Sequence, residues 1–417
     1  MTPSQPFRLG YLVPEFPGQT HVFFFRELRA LEKMGVDVCL LSTRPPDTKI
    51  AVHAEGKAWG QKTIYLATKR PGQLLASGLS LLSNPLRVLS WLRRYRASDA
   101  EASAMAVLVG AGLIWRLSRA QHIDHVHVHS AARSALIAAA AHHIFGLSYS
   151  VTLHGPMADY GPAQALKWRD ARFGLIITRR LIDQSRAEIG QDLPADIGLA
   201  PMGVELSRWQ REKPYQPWTG EGPLRLVSCG RLHAAKGHHV AIEAVRRLRE
   251  QDIDVQLDIL GEDNKNGGYR QQLEQQIDHA GLSDSVRLRG AVDESVVREL
   301  EQQAHVFVLA SKAEPLGVAI MEAMAMSLPV VVTRTGGVPE LVYDGQTGIL
   351  LDPEDPGAVA QAIKSLAEQP ERARAMGAAA RGVVVDQFSS DRSARELVAA
   401  LERAGFQPAA TQGEAAS

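Results

Sequence analysis

The chain has 417 residues, 45% of them hydrophobic, with 46 basic side chains balanced by 46 acidic ones. Its length exceeds one ordinary core and predicts two domains of roughly 200 residues, and a zero net charge offers no general field for nucleic acid. The two cysteines, Cys39 and Cys229, exclude a disulfide scaffold and a paired-cysteine metal site, and fit a reducing compartment.

MTPSQPFRLGYLVPEF opens the chain without a basic stretch leading into an apolar one, so no secretory leader is expected and a cytoplasmic location is. LGYLV (9–13) predicts a strand, followed by a helix near 20–34 with Phe24, Leu28 and Leu31 on one face, then the strand VDVCLLS (36–42). An insertion occupies roughly 69–120. Its first part, KRPGQLLASGLSLLSNPLRVLSWLRRYR, holds six basic residues and no acid, with Leu79, Leu82, Leu86, Leu89 and Leu92 near helical spacing. Two readings stay open: a basic amphipathic segment lying on an anionic bilayer, or helices packed on the domain with their arginines in water. The apolar stretches 74–92 and 135–144 are broken by Asn84-Pro85 and His142-His143, and both fall short of a membrane span.

HIDHVHVHS (122–130) places His125, His127 and His129 on one face of a strand. A metal site there would need carboxylates or cysteines from a second location, so no metal is expected. His129, nearest the C-terminal end, is the histidine placed to approach a site. VLVGAG (107–112) has Trp115 where a dinucleotide fingerprint needs its third glycine, and is read as helix. A helix at 134–144, then YSVTLHG (149–155) and GLIIT (174–178), continue a βα alternation that predicts a parallel sheet covered by helices.

The pattern restarts after the proline-rich KPYQPWTGEGP (213–223). LRLVSCG (224–230), VQLDILG (255–261), VRLRG (286–290), VFVLAS (306–311), PVVVT (329–333) and GILL (348–351) read as strands, with helices at 237–250, 269–279 and 294–303 between the first four. GEDNKNGG (261–268) lacks EF-hand spacing and reads as a surface loop. The expected division is therefore a domain over 1–205 and a second over 206–386. A helix over 387–405 belongs to the second or folds back on the first, and a small polar tail at 406–417 is expected to be disordered. Residues 1–215 hold 26 basic against 17 acidic side chains. That excess either turns the N-terminal half toward an anionic partner or is ordinary surface variation.

Two stretches of the second half carry chemistry. GRLHAAKG (230–237) ends a strand and opens a helix. Gly230 suits a tight turn, while the fork of Arg231 and the point charge of Lys236 suit a diphosphate held without metal. AEPLGVAIMEAM (313–324) sets Glu314 and Glu322 in an apolar segment, where an unpartnered carboxylate is costly. Pro315-Leu316-Gly317 reads as a turn, so a helix starting near Gly317 or Val318 would aim its free amides at an anion. Glu314 then lies beside that anion and accepts from hydroxyls, and Glu322, further into the helix, reaches a ribose diol. Each Glu alone also fits a capping or snorkelling role; the pair followed by TGGVPE (335–340) favours a site.

GRLHAAKG, VTLHG and the run EPLGVAIMEAMAMSLPVVVTRTGGVPELVYDGQTGILLDPEDP together resemble the retaining glycosyltransferases of the GT-B fold, family four. The resemblance covers roughly 224–386 in the second half. LVPEFPGQTHVFFFRELRALEKMGVDVCLLS resembles the exopolysaccharide, colanic-acid-type members, with His21-Val22 interposed before Phe23. It implies two Rossmann-like domains and a metal-independent enzyme without cofactor, taking a nucleotide-diphosphate sugar, UDP-linked in the main, to a lipid-linked or saccharide acceptor. Arg231 and Lys236 would clamp the diphosphate, Glu322 the ribose and Glu314 the sugar, either as a ligand of its hydroxyls or as a nucleophile. Amides of Leu316, Gly317 and Val318 would contact sugar and phosphate, the backbone at Ala291 the base, Gly18 the diphosphate and acceptor, and His154 a sugar hydroxyl. An epimerase or phosphorylase on the same architecture, or an inactive partner subunit, is the alternative.

Overall fold

The computed structural model describes residues 7–17, 22–45, 54–67, 70–263 and 267–408. The expectations for Gly18, for the start of the first helix at Thr20, for the loop centre 264–266 and for the tail beyond 408 lie outside these. The chain divides into two units, Met1–Pro201 with Asp391–Ser417, and Met202–Ser390.

Among the described residues the first unit is built on seven parallel strands: β1 (Arg8–Glu15), β2 (Asp37–Arg44), β3 (Ile64–Tyr65), β4 (His125–His129), β5 (Tyr149–Leu153), β6 (Gly174–Ile176) and β7 (Ile197–Leu199). Their order is β3-β2-β1-β4-β5-β6-β7, with Leu9 of β1 in register with Val38 on one side and His125 on the other. The chain thus reverses its direction of growth between β1 and β4. Parallel strands covered on both faces normally read as continuous apolar runs, and β1 broadly does. HVHVH on β4 is fully buried as well, and a polar ladder described below accounts for it. Helix Val22–Lys33 lays Phe24, Leu28 and Leu31 on the sheet, as the spacing predicts. Ala394, Leu397, Ala400 and Leu401 of the helix Ser390–Arg403 enter the same core, so the last helix packs on the first unit.

Between β3 and β4 run the helix Pro71–Ser80, a short 3-10 turn at Leu81–Ser83 and the helices Pro85–Arg96 and Ala104–Ala120. The first packs so closely on the last that a Cβ on Gly112 would sit 2.2 Å from the Ser77 carbonyl oxygen. Ser77, Trp91 and Tyr95 form the buried side of this layer. The leucines do not: Leu75, Leu82 and Leu86 are 66%, 72% and 80% exposed, and Leu79 and Leu89 lie outside too. Of the five leucines at helical spacing only Leu92 is half-buried, so the reading in which they pack on the domain does not form for the other four. No helix among the described residues is long and apolar enough to cross a membrane.

Among its described residues the second unit carries six parallel strands: β8 (Leu224–Cys229), β9 (Val255–Leu260), β10 (Val286–Gly290), β11 (Val306–Leu309), β12 (Val330–Thr333) and β13 (Ile349–Leu351). The order is β10-β9-β8-β11-β12-β13. Growth reverses between β8 and β11, and in an open parallel sheet ligands bind outside the carboxyl ends of the strands at such a reversal.

Candidate functional site

The loops after β8 and β11 hold the predicted diphosphate residues, and they meet. Lys236 Nζ donates to Glu314 Oε2 at 2.5 Å, and Ser311 Oγ donates to the same oxygen at 3.3 Å. The Lys236 side chain keeps 20% of its surface and Glu314 8%, so the pair is shielded yet not sealed. Left-handed backbone at Gly237 (φ +67) is what brings this loop in, because a Cβ there would sit 1.9 Å from the Ala310 carbonyl oxygen. The sequence places the tight turn at Gly230. Instead Gly230 has no left-handed φ and room for a Cβ, its nearest neighbour lying 3.6 Å away. Arg231 is exposed at the mouth of the loop, and its carbonyl oxygen lies 3.3 Å from Nε2 of His238.

Glu314 is held from behind by the glycine loop. Gly337 N–H donates to the carbonyls of Glu314 and Pro315, both at 3.1 Å, and a Cβ on Gly336 (φ +54) would strike the Glu314 carbonyl oxygen at 2.0 Å. Thr333 and Thr335 hydroxyls donate to the Ser311 carbonyl at 2.5 and 3.3 Å. These Ser311 and threonine supports were not legible in advance; the GG pair was the only signal.

Helix Val318–Ala325 begins as expected, with Gly317 left-handed (φ 100) at its N-cap and no side chain capping it. Its first turn leaves amides of the kind an anion satisfies. Glu322 lies on this helix, only 6% exposed. Cys229, at the end of β8, senses both carboxylate and lysine. Burial pushes its thiol well up, nearby Glu322 and Glu301 push it further, and Lys236 pulls it back. Lys236 and Glu314 thus meet past the carboxyl ends of β8 and β11, and Glu322 is near enough to act on the Cys229 thiol. Ala291 follows β10 on the same edge, two strands away, where the Gly290 carbonyl accepts from Gly261 N–H at 2.9 Å.

His154 belongs to the first unit, just past β5. Its ring is stacked on His129 (centroids 5.3 Å, 20°) and lies against Phe23 at 5.0 Å and Phe24 at 5.5 Å. The FFFRE run therefore builds the wall of the histidine site. Beneath it, His125 and His127 alternate with hydroxyls of Ser148, Ser150 and Thr152 at 2.7–2.8 Å, both nitrogens of each ring engaged. Burial first, then Arg172, pushes His125 down to about 3. His127 and His129 are pushed well below the ordinary value, chiefly by burial. These are neutral imidazoles whose lone pairs are committed inside the sheet, and His129 alone points toward His154.

Residues 211–383 match the family described as glycosyl transferases group 1. WcaL of Escherichia coli (strain K12), named for a glycosyltransferase role in colanic acid biosynthesis, is 33% identical over 213 residues, 49% of this chain and 51% of that protein. The amylovoran biosynthesis glycosyltransferase AmsK of Erwinia amylovora is 32% identical over 225 residues, 52% and 53% of the two chains. The chain thus spans about half the length of the curated relatives it matches. Fold similarity extends further. A glycosyltransferase of Rickettsia africae superposes with TM-score 0.72 over 96% of this chain and 99% of its own, at 17% identity. Anabaena HepE, solved with UDP, gives 0.71 over 95% and 100%, at 16% identity. Residues 211–383 of the second unit thus match the group 1 glycosyl transferases, and the chain as a whole shares the fold of solved GT-B glycosyltransferases.

Proposed function

We propose that this protein is a retaining glycosyltransferase of exopolysaccharide synthesis. It moves a sugar from a nucleotide diphosphate, UDP by preference, to a lipid-linked or saccharide acceptor, without metal. The observation carrying this reading is the Lys236–Glu314 pair at the β8/β11 reversal, beside the uncapped start of helix Val318–Ala325. A diphosphate placed there meets one ammonium, the Arg231 fork and backbone amides. Glu314, already fixed by Lys236 and Ser311, is left to accept from hydroxyls of the sugar. UDP as donor nucleotide is supported by HepE, whose structures contain UDP and UDP-glucose.

In this reading the bond between the anomeric carbon and the diphosphate oxygen breaks as a bond to the acceptor oxygen forms on the same face. The acceptor's proton passes to the departing phosphate oxygen. Negative charge grows on the diphosphate, and fixed donors aimed where charge develops are typically the largest catalytic contribution. Arg231, Lys236 and the amides of Leu316, Gly317 and Val318 supply them. Glu322 holds the ribose and the backbone at Ala291 the base, while His154 takes a hydroxyl of the transferred sugar. In this reading the exposed leucines and arginines of 70–96 would rest on an anionic membrane face, where a lipid-linked acceptor would lie.

The test is nucleoside diphosphate release from a panel of UDP- and GDP-sugars, with and without a membrane-lipid extract as acceptor source. One donor is expected to turn over with acceptor dependence and retained anomeric configuration. Interconversion of the sugar nucleotide without acceptor would establish an epimerase instead, and release of the inverted product would exclude retention.

A further inference from the structure

Glu354 stands in a backbone conformation that its residue type does not favour. It follows β13 in the run LDPEDP (351–356), and its φ is +66. Glycine takes this region freely, and asparagine and aspartate reach it with help from their short side chains, whereas a glutamate there is strained. Asp355, the next residue, caps the helix Pro356–Ala367 by accepting from the Ala358 amide at 2.9 Å. Glycine would serve the turn into that helix at least as well. Strain kept at such a point directs attention to what the side chain does.

The Glu354 carboxylate joins two segments that flank the diphosphate residues. Oε2 accepts from Lys312 Nζ at 2.9 Å, and Oε1 lies 3.3 Å from Nε2 of His239. Lys312 comes two residues before Glu314, and its amide donates to the Ala235 carbonyl at 2.8 Å. His239 comes three residues after Lys236, in the first turn of helix His238–Arg249. Its ring Nδ1 and its amide lie 2.7 and 3.3 Å from the hydroxyl of Tyr269, a buried residue. Lys312 chiefly, with a smaller pull from His239, holds the Glu354 carboxyl below its usual range against burial, so it is ionised near neutral pH.

From this geometry we infer that Glu354 is a positioning residue: through Lys312 and His239 it braces the contact between Lys236 and Glu314 from both sides and keeps the loop shaped for a diphosphate. The inference deepens the glycosyl-transfer reading of the same site and rests on it for the ligand. Within the loop, the 3-10 turn Ala234–Lys236 closes on its own carbonyls, Lys236 N–H on His233 and Gly237 N–H on Ala234. That turn sets the loop's own shape, and the Lys312 amide and Glu354 tie it to the segment carrying Glu314. Half-exposed ion pairs taken singly contribute little. Here two partners share one carboxylate and a buried tyrosine holds one of them, the kind of network that does contribute. The effect is modest in size and falls on the place of Lys236, not on the stability of the unit.

The experiment compares the full-length wild type with Glu354→Gly, which removes the carboxylate and relieves the strained φ at once. Glu354→Gln, which keeps the strain and loses the charge, is the second variant. Urea unfolding, amide hydrogen exchange and calorimetric titration with UDP and with GDP are measured on each. In Glu354→Gly the unfolding midpoint is expected to hold or rise, while the amides of Lys236, Gly237 and Lys312 exchange about 3-fold faster or more. Affinity for the nucleotide that the wild type binds is expected to fall about 3- to 5-fold. Glu354→Gln should show the same changes in exchange and affinity with no gain in midpoint. A residue that merely stabilised the unit would lower the midpoint in Glu354→Gly and speed exchange throughout the unit, and that result overturns the inference. So does unchanged exchange at the three amides, or unchanged affinity where the wild type binds. A wild type that binds neither nucleotide defeats the glycosyl-transfer reading, and the exchange rates then decide by themselves whether Glu354 holds the loop.

Discussion

Gly237 shows how one residue without a side chain governs the charged ones beside it. Its left-handed backbone turns the loop after β8 so that Lys236 meets Glu314, and its Cα packs where the Ala310 carbonyl leaves no space for a Cβ. Gly237→Ala combines a strained φ with a direct clash, so a loss of about 1–3 kcal/mol is expected in urea unfolding. An unchanged midpoint and slope would show that the loop adapts and that this account of it is mistaken. Lys236, Glu314 and Glu322 were legible because charge inside an apolar pattern demands a partner. Which glycine bends the loop was not legible, since Gly230 and Gly237 look alike in sequence while only one faces a carbonyl. Glu354 escaped notice for a related reason. In LDPEDP it resembles an ordinary turn carboxylate, and only the fold sets it beside Lys312 and His239.

At the scale of elements, the strands were legible except β3 and β7, the two edges of the first sheet, whereas VRLRG and GILL form the edges of the second as read. LGYLV, HVHVH, LRLVSC and VFVL are runs long enough to stand out, whereas β3 has two residues and β7 three, one of them Gly198. Such short edges form because β2 and β6 offer a ladder, not because their own pattern demands a strand. The helices at 71–96 show the converse. Their leucine spacing was evident, but spacing cannot say which face is covered, and here Trp91 and Tyr95 turn inward while the leucines turn out. Arg70, Arg87, Arg93 and Arg96 are exposed on the same helices, and Arg94 is tied to Asp170 at 3.2 Å. A basic Lys or Arg near an anionic surface contributes about 1 kcal/mol, and inserted leucines add to it. The protein is therefore expected to sediment with vesicles containing phosphatidylglycerol, and less at high salt. Leu82→Glu combined with Leu86→Glu should abolish this without altering the fold. Equal recovery in the supernatant with and without vesicles would remove the membrane from the proposal.

For the whole molecule, the alternation of strands and helices predicts two parallel sheets, and two form, each with a single reversal of strand order. Pattern could not assign the last helix, because its apolar face at Ala394, Leu397 and Leu401 would suit either unit. Tertiary packing decides it for the first. The second unit brings its basic loop and both carboxylates to its reversal, where an open parallel sheet binds ligands. The central claim is that this point grips a nucleoside diphosphate chiefly through Lys236. Calorimetric titration of the full-length protein with UDP and with GDP, wild type against Lys236→Ala, tests it most directly. Saturable binding of one nucleotide is expected, weakened about 10-fold to 100-fold in the variant, in keeping with about 1.5–3 kcal/mol for a charge-assisted contact. Equal affinity in the two proteins would contradict the account.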